Sequence, residues 1–315
     1  MLLKPAEDAA ASRWLTERLT SFATGVLGVV PSGFEAYARV FHPASRVTLA
    51  TSSPLRWVEV AALTGRTAHR AMQWPGLRGN LPPLRDYTAL TADDVWVEGP
   101  DEGSLPPSVA AALWPLLEVH TQTRDRCFFA VWEGFGYLPR TVLEAPGFEL
   151  PAREFRLFTG PLAAIEQTFC AGDIENTLSG GVMVAITTDS DTTDSEDPVD
   201  SESTRLLGEA ASAMSRDIFV PADSDELFWE ELGEALEQLR SLPPPYQSAN
   251  LWWPEDRSWC VATEIDFNAT YVAGTQVLVD ALLACEELES WQVGRADRRR
   301  RLRRRHPQPY VRQSI

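Results

Sequence analysis

The run Leu251-Trp252-Trp253-Pro254-Glu255-Asp256-Arg257-Ser258-Trp259-Cys260-Val261-Ala262-Thr263-Glu264-Ile265-Asp266 constrains this chain more than any other stretch. It reads as two strands joined by a five-residue turn. Three tryptophans in eight residues need cover, from a folded core or from a ligand. On the second strand, read from Trp259 to Phe267, alternation sets Trp259, Val261, Thr263, Ile265 and Phe267 on one face. Cys260, Ala262, Glu264 and Asp266 take the other. Strand residues two apart lie roughly 6.5–7 Å apart along the backbone, so Glu264 and Asp266 are spaced to bracket a substrate as acid and base or to form half a metal site. Glu133, at the end of another apolar strand, is a third candidate carboxylate. The competing reading is a solvated sheet face or ion pairs with arginine, with Asp266 capping a following helix. Trp252 and Trp253 point to opposite faces, so a single core layer cannot bury both. With Arg257 and Trp259 they form a candidate docking surface, because Trp and Arg are enriched at interfaces. Helices covering both faces of the sheet would remove it.

Composition narrows the function classes. The chain has 315 residues, 44% of them hydrophobic, with 11 Trp and 13 Phe, enough for a substantial core and incompatible with disorder throughout. No apolar run approaches the roughly 18 residues that span a bilayer, and the N-terminal sequence lacks a basic start followed by an apolar stretch. A cytoplasmic protein without membrane attachment is the expectation. Lys4 is the sole lysine, so a Schiff-base lysine, a Walker phosphate loop and a kinase strand lysine are all unavailable. The formal charge is −17; from Arg295 onward nine arginines face one aspartate, about +8, leaving the body near −25. Such a body repels nucleic acid and anionic membranes and favours a basic protein partner. Only the tail, with eight arginines between Arg295 and Arg305, offers a weak nucleic-acid contact; otherwise it is a disordered end.

Along the chain, helices are expected over 9–24, Trp57 to Met72, Ser108 to His120 and Thr270 to Glu286, and strands over Phe34 to Phe41, Arg46 to Ala50, Val95 to Glu98, Cys127 to Trp132, Glu154 to Phe158 and Gly181 to Ile186. Gly160-Pro161 opens a short helix, and Glu133-Gly134-Phe135-Gly136 closes a strand as a turn. Two acidic helices follow residue 203, with stripes Leu206, Leu207, Ala210, Ala211, Met214 and Phe228, Leu232, Leu236, Leu239. There is no βαβ beat and no internal repeat. The expectation is an α+β fold, mixed α/β being the alternative, with a largely antiparallel sheet packed with helices. It divides into an N-terminal α+β region (1–186), an acidic disordered loop (187–203), C-terminal helices and the Trp hairpin on the same core (204–293), and a disordered Arg-rich tail (294–315).

The acidic loop does not read as a calcium site. Counting from Asp189, the sixth and twelfth positions of a calcium loop fall on Asp194 and Asp200, where Gly and Glu belong. His42, His69, His120 and His306 lack zinc-ligand spacing. His42 follows a strand end, a place for catalytic groups and more commonly for turn residues. Cys127, Cys170, Cys260 and Cys285 are far apart and read as buried thiols. No Gly-x-Ser-x-Gly elbow or Gly-x-Gly-x-x-Gly loop occurs, so no metal or cofactor is expected.

Several stretches together resemble a family of uncharacterised actinobacterial proteins: Gly33 to Val40, Glu59 to Thr67, Cys127 to Gly136, Phe158-Thr159-Gly160-Pro161 and Asn250 to Gly274. The resemblance covers most of residues 30–290 and implies an intracellular bacterial protein without transferring an activity. In general character, acidic and α+β, the chain is also similar to the SUKH superfamily of immunity proteins. Two functions are thus expected in order: a protein-binding, immunity-like module using Trp252, Trp253, Arg257 and Trp259, and a hydrolase or carbohydrate-active enzyme using Glu264, Asp266 and Glu133.

Overall fold

The computed structural model describes residues 3–20, 25–47, 52–79, 96–151, 153–170, 246–295 and 297. The expected strand over 181–186, the acidic loop 187–203, the two acidic helices and the tail beyond Asp297 lie outside them. In chain order the strands are β1 (Lys4–Pro5), β2 (Ala36–Phe41), β3 (Ala44–Val47), β4 (Ser52–Leu55), β5 (Trp96–Glu98), β6 (Cys127–Trp132), β7 (Gly147–Leu150), β8 (Arg153–Gly160), β9 (Leu251–Pro254), β10 (Cys260–Thr263), β11 (Ala269–Gly274) and β12 (Glu289–Val293). The helices are α1 (Arg13–Arg18), α2 (Trp57–Leu63), α3 (Trp74–Arg78), α4 (Pro107–Glu118), α5 (Arg140–Leu143) and α6 (Gln276–Ala284). Helices beside antiparallel strands make this an α+β fold.

The chain divides into two compact units, each assembled from two stretches of sequence: Met1–Thr16 with Ser104–Arg257, and Glu17–Gly103 with Ser258–Ile315. In the first unit β8 is central. It pairs with β6 along one edge and with β1 and β7 on the other, and β9 extends the sheet beyond β6, every pairing antiparallel. The continuous apolar run of β6 suits a strand paired on both sides. In the same unit α4 packs against a 3-10 turn over Leu162–Glu166 that Pro161 introduces.

In the second unit β10, β11, β2 and β12 form an antiparallel ladder, with Tyr271 opposite Arg39 and Trp291 on its far side. A smaller sheet runs β4–β3–β5. Phe41, Leu55, Trp57, Val60, Met72, Trp74 and Leu77 close a core beside it. Arg39 is buried within that unit, its guanidinium 4.3 Å from the Phe41 ring centre, donating to the carbonyls of Met72 (2.7 Å) and Arg70 (3.2 Å).

Four expected elements differ, and the first is the helix expected over 9–24, which is a 3-10 turn over Ala10–Ser12 running into α1 and ends at Arg18. The helix from Trp57 stops at Leu63, because Gly65 takes φ 66° and the amides of Gly65 and Arg66 turn back to the carbonyls of Ala62 and Ala61. The strand from Trp259 to Phe267 is β10 alone, ending at Thr263. Thr270 to Glu286 is a buried strand, β11, followed by α6, whose cap Thr275 accepts the Leu278 amide at 3.2 Å.

Candidate functional site

The tryptophan run is core. Trp252 and Trp253 are 1% and 0% exposed, and Trp259 is 0%. Trp253 lies against Phe128 (5.7 Å, 25°) and meets Trp14 edge-on (6.0 Å), while Trp252 stacks on Phe129 (6.3 Å, 9°). Adjacent residues of β9 face opposite ways, and each ring has partners on its own face: Phe128 and Trp14 for Trp253, Phe129 for Trp252. The void beside Trp252 measures about 10 Å³, the room of one water. The docking surface expected at Trp252, Trp253 and Trp259 therefore does not exist. Of the four residues Arg257 alone is exposed, and its guanidinium sits 5.4 Å over Trp14.

The carboxylate pair expected on β10 is also corrected. Beyond Thr263 the chain turns: the buried Glu264 accepts the Asp266 amide on its carboxylate (2.8 Å) and the Phe267 amide on its carbonyl (3.0 Å). Glu264 closes the turn that leads into β11, and Asp266 stands exposed at its tip. Glu133 belongs to the other unit.

Glu133 does stand among other carboxylates. It follows β6, and its amide donates to the Glu154 carbonyl on β8 (3.0 Å). Glu154 pairs in register with Glu149 on β7. Residues directly opposite across antiparallel strands share a face, so Glu133, Glu154 and Glu149 form one row over three strands. The next row, Trp132, Phe155 and Phe148, points to the opposite face. Beside the acidic row, Arg156 reaches Glu133 (2.5 Å) and donates to the Ala145 carbonyl (3.2 Å). It lies over Gly147, where a Cβ would come within 2.8 Å of its guanidinium. Together these residues line an open cleft of about 220 Å³. A hydrogen bond with Glu133, and the charges of Glu133 and Glu149, raise the Glu154 carboxyl above its ordinary range; Arg156 opposes them. Among the described residues no group of three or more His, Cys, Asp or Glu is placed to hold a metal ion.

Sequence reading found Glu133 and missed Glu149, Glu154 and Arg156. Their signal was the hairpin Phe148-Glu149-Leu150 and Arg153-Glu154-Phe155, which pairs Phe with Phe and Glu with Glu across a short turn. Glu133-Gly134 is the expected turn. A Cβ at Gly134 would come within 2.1 Å of the Trp132 ring, so any other residue there has to displace that ring.

The remaining candidates are structural. Cys127 is buried and its thiol is pushed up to about 12, chiefly by desolvation; Cys260, fully buried, is raised by the same cause. Neither provides a thiolate nucleophile. His42 is fully buried in the second unit. No helix among the described residues is long and apolar enough to cross a membrane. No protein-family model, no curated protein and no solved structure matches this chain.

Proposed function

We propose that the chain is an intracellular bacterial protein-binding module whose acidic row, Glu133, Glu154 and Glu149, receives basic side chains of a partner protein. The observation that carries this reading is the register itself. Like charges directly opposite on adjacent strands cost stability, and one neighbouring arginine offsets only part of three carboxylates. A cation supplied from outside relieves that repulsion. The cleft above Gly147 leaves room for it, and the net charge of −17 speeds association with a basic partner. Exposed Arg257 is not needed for this contact.

The test is affinity purification of the tagged chain from its host after nuclease treatment, beside an E149K/E154K variant and a chain lacking residues 298–315. The reading expects a stoichiometric partner that stays with the parent and the truncated chain, weakens with salt, and leaves the doubly reversed variant. A partner held equally by E149K/E154K would refute it. A second reading draws on the raised Glu154 carboxyl beside the Glu133 carboxylate, an acid–base pair of the kind hydrolases use. It expects no partner, and hydrolysis of a glycoside or ester that E154Q abolishes.

A further inference from the structure

His42 follows β2 and is 0% exposed. Both ring nitrogens are engaged: Nδ1 with the Asp101 carbonyl (2.9 Å) and Nε2 with the Thr270 hydroxyl (2.9 Å). A carbonyl only accepts, so Nδ1 carries the proton and Nε2 accepts from Thr270. Thr270 Oγ1 then accepts from Thr263, 2.7 Å away on β10. This relay has one consistent direction, and it needs a neutral ring.

The ring holds a particular segment. Pro100 and Glu102 are bonded by Asn268 Nδ2 (3.0 and 2.9 Å), and the Gly103 amide donates to the Phe267 carbonyl (3.1 Å). Gly103 has φ 75° and packs so close to the following turn that a Cβ would meet the Ile265 carbonyl oxygen at 2.6 Å. His42 is the one imidazole among these anchors.

We propose that His42 is an acid-released latch, whose protonation frees Pro100–Gly103 while the β10–β11–β2 ladder stays paired. A protonated Nε2 becomes a donor facing a donor. Thr270 would have to turn its proton toward Thr263, and Thr263 would have to reverse in turn. The charge would also sit without a carboxylate on either ring nitrogen. The charged side chain acting on the ring is Arg39 on β2; the segment meets the ring through the Asp101 carbonyl, and β11 and α2 meet His42 through Thr270 and Trp57, whose indole donates to the His42 carbonyl (2.7 Å). Burial opposes protonation in place most, the bond to the Asp101 carbonyl favours it, and Arg39 opposes it, leaving the ring lowered from 6.5 to about 4. The ring swings out instead and gives up Asp101.

The sign follows from linkage. The released ring takes its proton near pH 6.5 and the latched ring near pH 4, so release grows as pH falls through that window. Between pH 7 and pH 5 the open fraction rises about 20-fold.

Amide exchange by NMR on the full chain, corrected for intrinsic rates, tests this. Protection at Gly103 is expected to fall about 20-fold from pH 7 to pH 5 while Val272 in β11 holds. H42Q, which keeps a donor for Asp101 and cannot titrate, is expected to hold Gly103 at both pH values. If H42Q does not fold, the parent decides alone, through whether loss at Gly103 follows the His42 ring signals. Equal loss at Gly103 and Val272, no loss at Gly103 by pH 4, or acid loss that persists in H42Q each overturns the latch.

Discussion

Replacing Trp253 with alanine separates a core tryptophan from a docking one. The side chain is fully buried, stacked on Phe128 and edge-on to Trp14. Truncating a buried Trp to Ala costs about 3–5 kcal/mol. Two lost ring contacts, each about 0.5–1.5 kcal/mol beyond burial, place this position in the upper half, at about 4–5 kcal/mol. Domains of this size are stable by about 5–15 kcal/mol, so W253A removes a large share of the first unit's stability. With a urea slope of about 2–3 kcal/mol per molar, the midpoint falls by about 2 M. W253F keeps the stack on Phe128 and loses about three heavy atoms, about 2 kcal/mol at roughly 0.8 kcal/mol per methylene. Urea unfolding followed by circular dichroism measures both. A W253A midpoint within about 0.3 M of the parent, with loss of the co-purifying partner, would refute the core assignment and return Trp253 to the surface.

Other outcomes follow from single contacts. G134A drives a methyl into the Trp132 ring and is expected to destabilise by about 1–3 kcal/mol, read as a lower urea midpoint. R39M removes the donors to the Met72 and Arg70 carbonyls and is expected to cost about 2–3 kcal/mol, with faster proteolysis around residues 70–72. In native chain, a thiol reagent at pH 8 is expected to modify half-buried Cys170 and Cys285 well before Cys127 and Cys260; all four reacting at one rate would contradict the burial order.

Much of the strand pattern was legible because continuous apolar runs leave few options. Cys127–Trp132 is such a run, Ala36–Phe41 is apolar but for Arg39, and Pro107–Glu118 is helical from its spacing. β11 was not legible. Ala269–Gly274 runs into Gln276–Ala284 without a charged break, and only Gly274-Thr275 separates a buried strand from a helix. Glu264 misled for a similar reason, since alternation continues through a turn that its own carboxylate closes. The tryptophans show a limit of periodicity, because alternation reports which face a residue takes and never how many faces are covered. The acidic row depended on hairpin register, which pairs Glu149 with Glu154 and lies in no single strand.

Because each unit draws on two separated stretches, synthesis order becomes a problem for this chain. Pro5 waits for Phe158, and Arg39 waits for Tyr271. At roughly 5–20 residues per second, β2 spends on the order of tens of seconds as a nascent segment without its partner. During that time its mostly apolar sequence, Ala36 to Phe41, is an open template for another growing chain. Neither unit can be expressed as one continuous fragment with its native ends. Ribosome-associated chaperones are thus a larger need for this protein than its modest size suggests, and slow translation before residue 274 would lower its yield.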